Sequence, residues 1–433
     1  MLEDPSILLI LTVFLGLLFL LILLGVPIAV AMGVTSLFIM FFTPWVDFSL
    51  RVVTNNMFFS LNSFTLLAFP FYLMLGRLMN AFGLTEEVFD FAMSLVGHIR
   101  GGLGQVNVVA SLVFSGMSGL AVADVAGLGR IEYTAMREYG YDKDLSLGIT
   151  STSSIIGPIM PPSVPIIVYA VLAEVSIGAM FLAGIIPAFL LAGVLMLFVY
   201  FIAYRRGYEV AEGFDVSEIW HTFWEALPAL FIPVFIIVGI LGGWFTATEA
   251  GAIALLYVVI VGIKRGKLSL SDIYNEMKFG TVETFAIVFI IAAAGIYSFV
   301  AIQLRLPLLI ADALLGLTEN TVLIMIILAG SFIILGTFME KLSAIALLVP
   351  ILLPTLGPLG IDPIYFGIVM VLSLMFGLIT PPVGGGIFVL EKVTDATLEE
   401  VILAVIPFYI PVLFTLLLVI LFPSLSTFLV GFM

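Results

Sequence analysis

Gly157-Pro158-Ile159-Met160-Pro161-Pro162-Ser163 returns 220 residues later as Gly377-Leu378-Ile379-Thr380-Pro381-Pro382-Val383. Glycine lets a chain turn, and proline removes a donor and frees an upstream carbonyl, so each stretch reads as a break in a helix. The same spacing holds further out. Gly116 in Phe114-Ser115-Gly116-Met117-Ser118-Gly119 pairs with Gly336 in Leu335-Gly336-Thr337-Phe338-Met339-Glu340, and Pro187 pairs with Pro407. These matches, in one order at one spacing, predict an internal duplication over about residues 6–205 and 226–425.

The surroundings of these breaks are lipid-like. Hydrophobic residues make up 62% of the 433 and charged residues 10%, against about 25% charged in a soluble domain. Mean hydropathy is +1.29. Runs such as Ile7–Leu24 and Leu403–Phe422 approach the roughly 20 residues needed to cross a bilayer. The expectation is one all-α polytopic membrane domain covering 1–433. The net charge of −14 says little, because orientation follows Lys and Arg near helix ends. With no cysteine, disulfides, thiolate metal sites and cysteine catalysis are excluded. His98 and His221 stand far apart and suit no multi-histidine metal site. Acidic Glu3 and Asp4 replace the basic start of a signal peptide, so the first run is expected to be a retained span.

Basic residues orient the halves. Arg77, Arg100, Arg137, Lys143, Arg205, Arg206, Lys264, Arg265, Lys267, Lys278 and Lys392 fall on one side, read as cytoplasmic. Arg51 and Arg305 fall on the other, and Arg130 and Lys341 lie within apolar hairpins. The stretch 102–136 is flanked on one side by basic residues at both ends, so it is expected to enter and leave by the same face. Its mate is 320–354. Each half then has five full spans and one re-entrant hairpin. Five is odd, so the second half is inverted. The prediction is about ten full spans plus two hairpins, with both termini outside. Two amphipathic stretches, Leu84–Ile99 and Leu304–Leu317, precede the hairpins and read as interfacial arms between a fixed and a moving unit.

Broken backbone inside a membrane occurs where it lines a cavity. Ser115–Gly119, Ser151–Ser163, Gly336-Thr337 and Gly377–Gly386 combine freed carbonyls with hydroxyls, a hard oxygen environment suited to Na⁺. Ser115, Ser118, Thr337 and Thr380 have a plainer alternative, bonding a carbonyl of their own helix. Asp124 and Glu249 are intramembrane acids and functional candidates, or else helix-terminal acids. Lys341 has three readings: serving a substrate carboxylate, snorkelling, or pairing with Glu340. No phosphate loop, His-Glu-x-x-His or Ser/His/Asp set is present, so no enzyme and no cofactor are expected.

The motifs Ser115-Gly116, Ala123-Asp124-Val125-Ala126, Gly157–Ser163, Thr248-Glu249-Ala250, Gly336–Glu340, Gly360-Ile361-Asp362-Pro363 and Gly377–Gly384 resemble the large membrane subunit of tripartite ATP-independent periplasmic (TRAP) transporters. The resemblance runs through nearly the whole chain. It implies an elevator-type carrier in a bacterial inner membrane, driven by sodium and taking up organic acids such as C4-dicarboxylates or sialic acid. It also implies two partners, a small four-helix membrane subunit and a soluble periplasmic substrate-binding protein. Some members fuse the small subunit; with the first repeat beginning almost at residue 1, no fusion is expected here. By the same resemblance sodium falls to Ser115, Gly116, Ser154 and Gly157 in the first half. In the second half it falls to Gly336, Thr337, Gly377 and Thr380. Ser118, Ser153, Pro161, Pro162, Pro381 and Pro382 are the candidate substrate contacts. The rival readings are a stand-alone sodium–carboxylate elevator, and a channel or membrane scaffold.

Overall fold

In lipid every backbone polar group must be satisfied internally, which favours helices for an apolar chain. A computed structural model describes residues 5–43, 46, 48–118, 121–208 and 213–433, and among these there is no strand. The first half runs α1 (Pro5–Leu23), α2 (Ile28–Phe42), α3 (Leu50–Leu61), α4 (Ala68–Phe82), α5 (Thr85–Val96), α6 (Gly102–Ser118), α7 (Ala121–Glu138), α8 (Lys143–Ser153), α9 (Val164–Leu172) and α10 (Ile177–Arg206). The second runs α11 (Val216–Leu241), α12 (Ala247–Lys264), α13 (Leu270–Gln303), α14 (Leu306–Leu317), α15 (Thr321–Phe338), α16 (Lys341–Leu359), α17 (Pro363–Phe376), α18 (Gly385–Val393), α19 (Leu398–Val405) and α20 (Tyr409–Leu421).

Helix starts recur at the spacing of the motifs. Starts at 102, 121, 143, 164 and 177 are followed by starts at 321, 341, 363, 385 and 398, each 219–221 residues later. Short 3₁₀ turns, Ser154–Ile156 and Gly377–Ile379, follow α8 and α17 where the breaks are expected. The Pro161–Pro162 and Pro381–Pro382 peptide bonds are both cis. Among the described residues, eight helices are long and apolar enough to cross a membrane, and α15 and α16 are two of them. Length therefore does not separate a full span from a hairpin arm.

Contacts sort the helices into two groups. In one, α13 packs on α2, α3 and α4, α4 on α12, α1 on α2, and α11 on α12. In the other, α6 packs on α7 and α10, α15 on α17, and α10 on α20. Within the second group the halves interlock: α7 lies against α18, α16 against α9, and α8 against α19. The two expected arms, α5 and α14, bridge the groups. α5 touches α11 on one side and α6 on the other; α14 touches α13 and α16.

Many apolar side chains face outward. Leu197 of α10 is 72% exposed and Phe285 of α13 is 68% exposed. In water such faces would drive association; in a bilayer they meet lipid. α16 is the opposite case, with Ala344, Ile345 and Val349 fully covered although three prolines interrupt it. It belongs inside the protein.

Charges gather in ion pairs between distant segments. Glu87 of α5 holds Arg265 at 3.1 Å and Lys267 at 2.6 Å. Arg77 joins Glu276 and Glu283, both at 2.8 Å. Arg206 joins Asp142 and Asp144, and Lys143 joins Glu400. In the loop after α18, Asp395 accepts from the Tyr133 phenol. That bond, with Lys143 and Arg137 nearby, holds its carboxyl below the usual range. All the basic residues in these pairs belong to the set read as cytoplasmic.

Candidate functional site

The second break and the second hairpin tip touch backbone to backbone. A Cβ on Gly377 would lie 2.3 Å from the Gly336 carbonyl carbon, and one on Gly336 2.6 Å from the Leu374 carbonyl oxygen. No side chain fits there, which is the physical reason for glycine at both positions. The Gly384 amide then donates to the Thr337 carbonyl at 3.3 Å. Gly336, Thr337, Gly377 and Thr380, grouped by sequence, are thus brought together. Thr337 Oγ1 donates to Ile334 O and Thr380 Oγ1 to Phe376 O, each at 2.8 Å. This is the helix-internal bond that the sequence leaves open. It uses the hydroxyl proton and leaves oxygen lone pairs. The Tyr409 phenol donates to Ile379 O at 2.9 Å and fixes the break from outside.

In the first half the break is tied to α6 by side chains. Ser153 Oγ donates to Asn107 Oδ1, and Asn107 Nδ2 donates to Thr150 Oγ1, both at 2.7 Å and all buried. Ser154 Oγ donates to Ser151 O at 2.8 Å. Ser163 Oγ donates to Pro158 O and caps α9 by accepting from the Ile166 amide at 3.3 Å. Gly157 ends the 3₁₀ turn, its amide on Ser154 O at 3.3 Å. Pro161 and Pro162 follow before α9, as Pro381 and Pro382 do before α18. Ser115, Gly116 and Ser118 fall on the last turn of α6. Their side chains, and the whole of Gly119, lie outside the described residues. Asn107 is a site residue that sequence reading missed, although Gln105-Val106-Asn107 is a polar interruption in an apolar arm.

The other candidates separate. Asp124 is buried in the first turn of α7. Glu249 instead closes a capping box: its carboxylate accepts from Thr246 N at 2.8 Å, and Thr246 Oγ1 accepts from its amide at 3.3 Å. It is a helix-terminal acid. His98 meets the Phe214 ring edge-on at 4.9 Å, and exposed His221 lies 3.3 Å from Glu225 one turn on. Both have structural roles. Lys341 does not snorkel. It is 9% exposed, and its ammonium donates to Gly336 O and Met339 O.

The starts of α7 and α16 and both breaks border one cavity of about 440 Å³. Ala121 and Lys341, which begin α7 and α16, line it with Pro158 and Leu378 from the breaks. The facing wall comes from the other helix group, Leu73 of α4 and Glu283 to Ile290 of α13. A second, more polar cavity of about 710 Å³ lies between α3, the α9–α10 turn and Ser298 of α13. Along α13 the two linings adjoin, with Ile290 on the first cavity and Ile291 on the second.

Paired helix breaks around a cavity, inside a lipid-facing helical body, define a membrane transport protein. Comparison with known proteins makes that specific. Residues 15–425 match the family model described as "Tripartite ATP-independent periplasmic transporter, DctM component". The chain belongs to this family, whose members are transporters and not enzymes. It is 41% identical over 377 residues to the sialic acid TRAP transporter large permease protein SiaM of Vibrio cholerae, covering 87% of this chain and 88% of the relative. It is 35% identical to the 2,3-diketo-L-gulonate TRAP transporter large permease protein YiaN of Escherichia coli, covering 95% and 96%. It is 36% identical to the C4-dicarboxylate large permease DctM of Pseudomonas aeruginosa, covering 87% and 89%. Among solved structures, the YdaH transporter of Alcanivorax borkumensis shares the fold, with a TM-score of 0.63 at 14% identity over 96% of this chain and 98% of that one.

Proposed function

We propose that this chain is the large permease subunit of a sodium-coupled uptake system for an organic acid of the C4-dicarboxylate or sialic acid class. It would work in a bacterial inner membrane with a small four-helix membrane subunit, and take substrate from a soluble periplasmic binding protein. The observation that carries the reading is the cavity of about 440 Å³ bordered by the starts of α7 and α16 and by both breaks. Its volume lies in the ordinary range for small-molecule sites. One wall belongs to each helix group, so sliding one group past the other would remake the cavity's opening. The recurring helix starts support two inverted repeats, and the repeats support an elevator cycle in which they exchange roles. Freed carbonyls and hydroxyls at each tip support sodium as the coupling ion. The relatives support the substrate class, since those named above act on sialic acid, a sugar acid and C4-dicarboxylates. Glu283 sits both on the cavity wall and in the Arg77 ion pair, which supports an inward-facing state, and the basic-residue pattern supports both termini being periplasmic.

A stand-alone carboxylate elevator is the reading to be separated from this one. Reconstitution decides between them. The purified chain alone in liposomes should take up little substrate. With the small subunit and the binding protein it should show saturable, sodium-driven uptake. Robust uptake by the chain alone would establish the stand-alone carrier, and non-saturating flux would establish a channel.

A further inference from the structure

We propose that the Lys341 ammonium is a built-in cation that replaces one of the two coupling sodium ions, the one at the second tip, leaving a single exchangeable sodium. The inference rests on the sodium reading above and sharpens it.

Lys341 Nζ donates to Gly336 O and to Met339 O, the latter at 3.1 Å, from a side chain only 9% exposed. Gly336 lies in the last turn of α15, where carbonyls have no partner along the helix and the helix dipole is negative. Such carbonyls are the ligands that a sodium ion needs. Gly336 is also the residue pressed against Gly377, so the ammonium is bonded to one of the grouped second-half residues. The hydrogen bonds of the ammonium run to main-chain carbonyls and not to a carboxylate. Neighbouring Glu340 is engaged elsewhere: it caps α16, accepting from Leu342 N at 3.0 Å and Ser343 N at 2.8 Å. A monovalent cation held by carbonyl oxygens already fills this place. A second one in the same shell would be repelled at close range.

The two halves differ here. The position 220 residues before Lys341 is Ala121, which likewise begins its helix and borders the same cavity. The first half therefore has no tethered cation at the matching position. A tethered charge travels with its domain in both directions, whereas a sodium ion is carried one way and released. Each substrate would therefore move one fewer charge than in a carrier with two exchangeable ions.

The test is equilibrium binding of radiolabelled sodium to the purified full-length chain in its membrane complex. Wild type should bind one sodium per chain. K341A makes the second tip match the first and should bind two, with a steeper sodium dependence of uptake. K341R keeps the charge and should stay at one. K341M retains the apolar stem and should also gain a sodium, which covers the case that K341A does not fold. A wild-type count of two overturns the proposal and leaves sodium coupling standing, with no variant needed. So does a count of one in K341A and K341M. If those variants raise the substrate concentration for half-maximal uptake at an unchanged sodium count, Lys341 is a substrate ligand instead. If neither wild type nor variant binds sodium, the coupling reading fails as well.

Discussion

On the proposed sodium reading, Thr337 and Thr380 would each serve both helix and ion. Each donates its proton to a carbonyl three or four residues back, and a hydroxyl oxygen keeps acceptor lone pairs when it donates. Removing one such oxygen costs about 1–3 kcal/mol, or roughly 5- to 150-fold in affinity. Thr380→Ala should raise the sodium concentration for half-maximal uptake within that range, and Thr380→Ser should restore it. Unchanged sodium dependence in well-expressed Thr380→Ala would leave the hydroxyl a purely helical role. Some of this scale was legible in sequence and some was not. The breaks announce their hydroxyls through glycine and proline. Thr246-Ala247-Thr248-Glu249 carries a capping-box signature that explains Glu249 locally. The partners of Lys341 were not legible, because the carbonyls it meets are set by where α15 ends. Asn107 was hidden for a similar reason: its partners Thr150 and Ser153 lie beyond a hairpin and a turn.

At the scale of the element, the contact between α15 and the break after α17 should be the least tolerant place in the chain. Gly377→Ala would force a Cβ to within 2.3 Å of main chain, and main chain cannot rotate away as a side chain can. Overpacking of this kind costs about 1–3 kcal/mol or more. The expected outcome is a lower melting temperature of the purified protein together with loss of uptake. Gly330→Ala lies on α15, the other partner in this contact, with nothing within 4 Å of the added carbon, and should leave both unchanged. Equal effects of the two substitutions would show that helix propensity matters here and the crossing does not. Motif spacing revealed these elements in advance because glycine and proline shape backbone wherever they fall. It did not reveal that Gly336 and Gly377 touch, since spacing carries no information about which breaks face one another.

For the whole molecule, topology is the claim on which the transport reading depends. The basic residues at ion pairs link Arg77, Lys143, Arg206, Arg265 and Lys267 to acids from distant segments, which supports one shared side. Lys264 and Glu319 are exposed, and the chain has no cysteine. In intact cells an impermeant thiol reagent should therefore label Glu319→Cys and spare Lys264→Cys. The reverse pattern would invert the protein. Fold class was legible from composition alone, because a chain this apolar has only lipid as a solvent. The division into two helix groups was not, since it depends on which apolar faces meet and those faces are nearly interchangeable in sequence.

The bridging helices have one further consequence, which is mechanical. α5 and α14 contain 12 residues each, so each is a rigid rod of about 18 Å. Each touches both helix groups. On the proposed elevator cycle, two rods of equal length joining the same two bodies would act as a linkage. Such a linkage lets one body slide past the other without tipping, and rod length limits the stroke. Shortening one rod by a turn would make the two sides travel unequal distances, and the sliding body would tilt and jam.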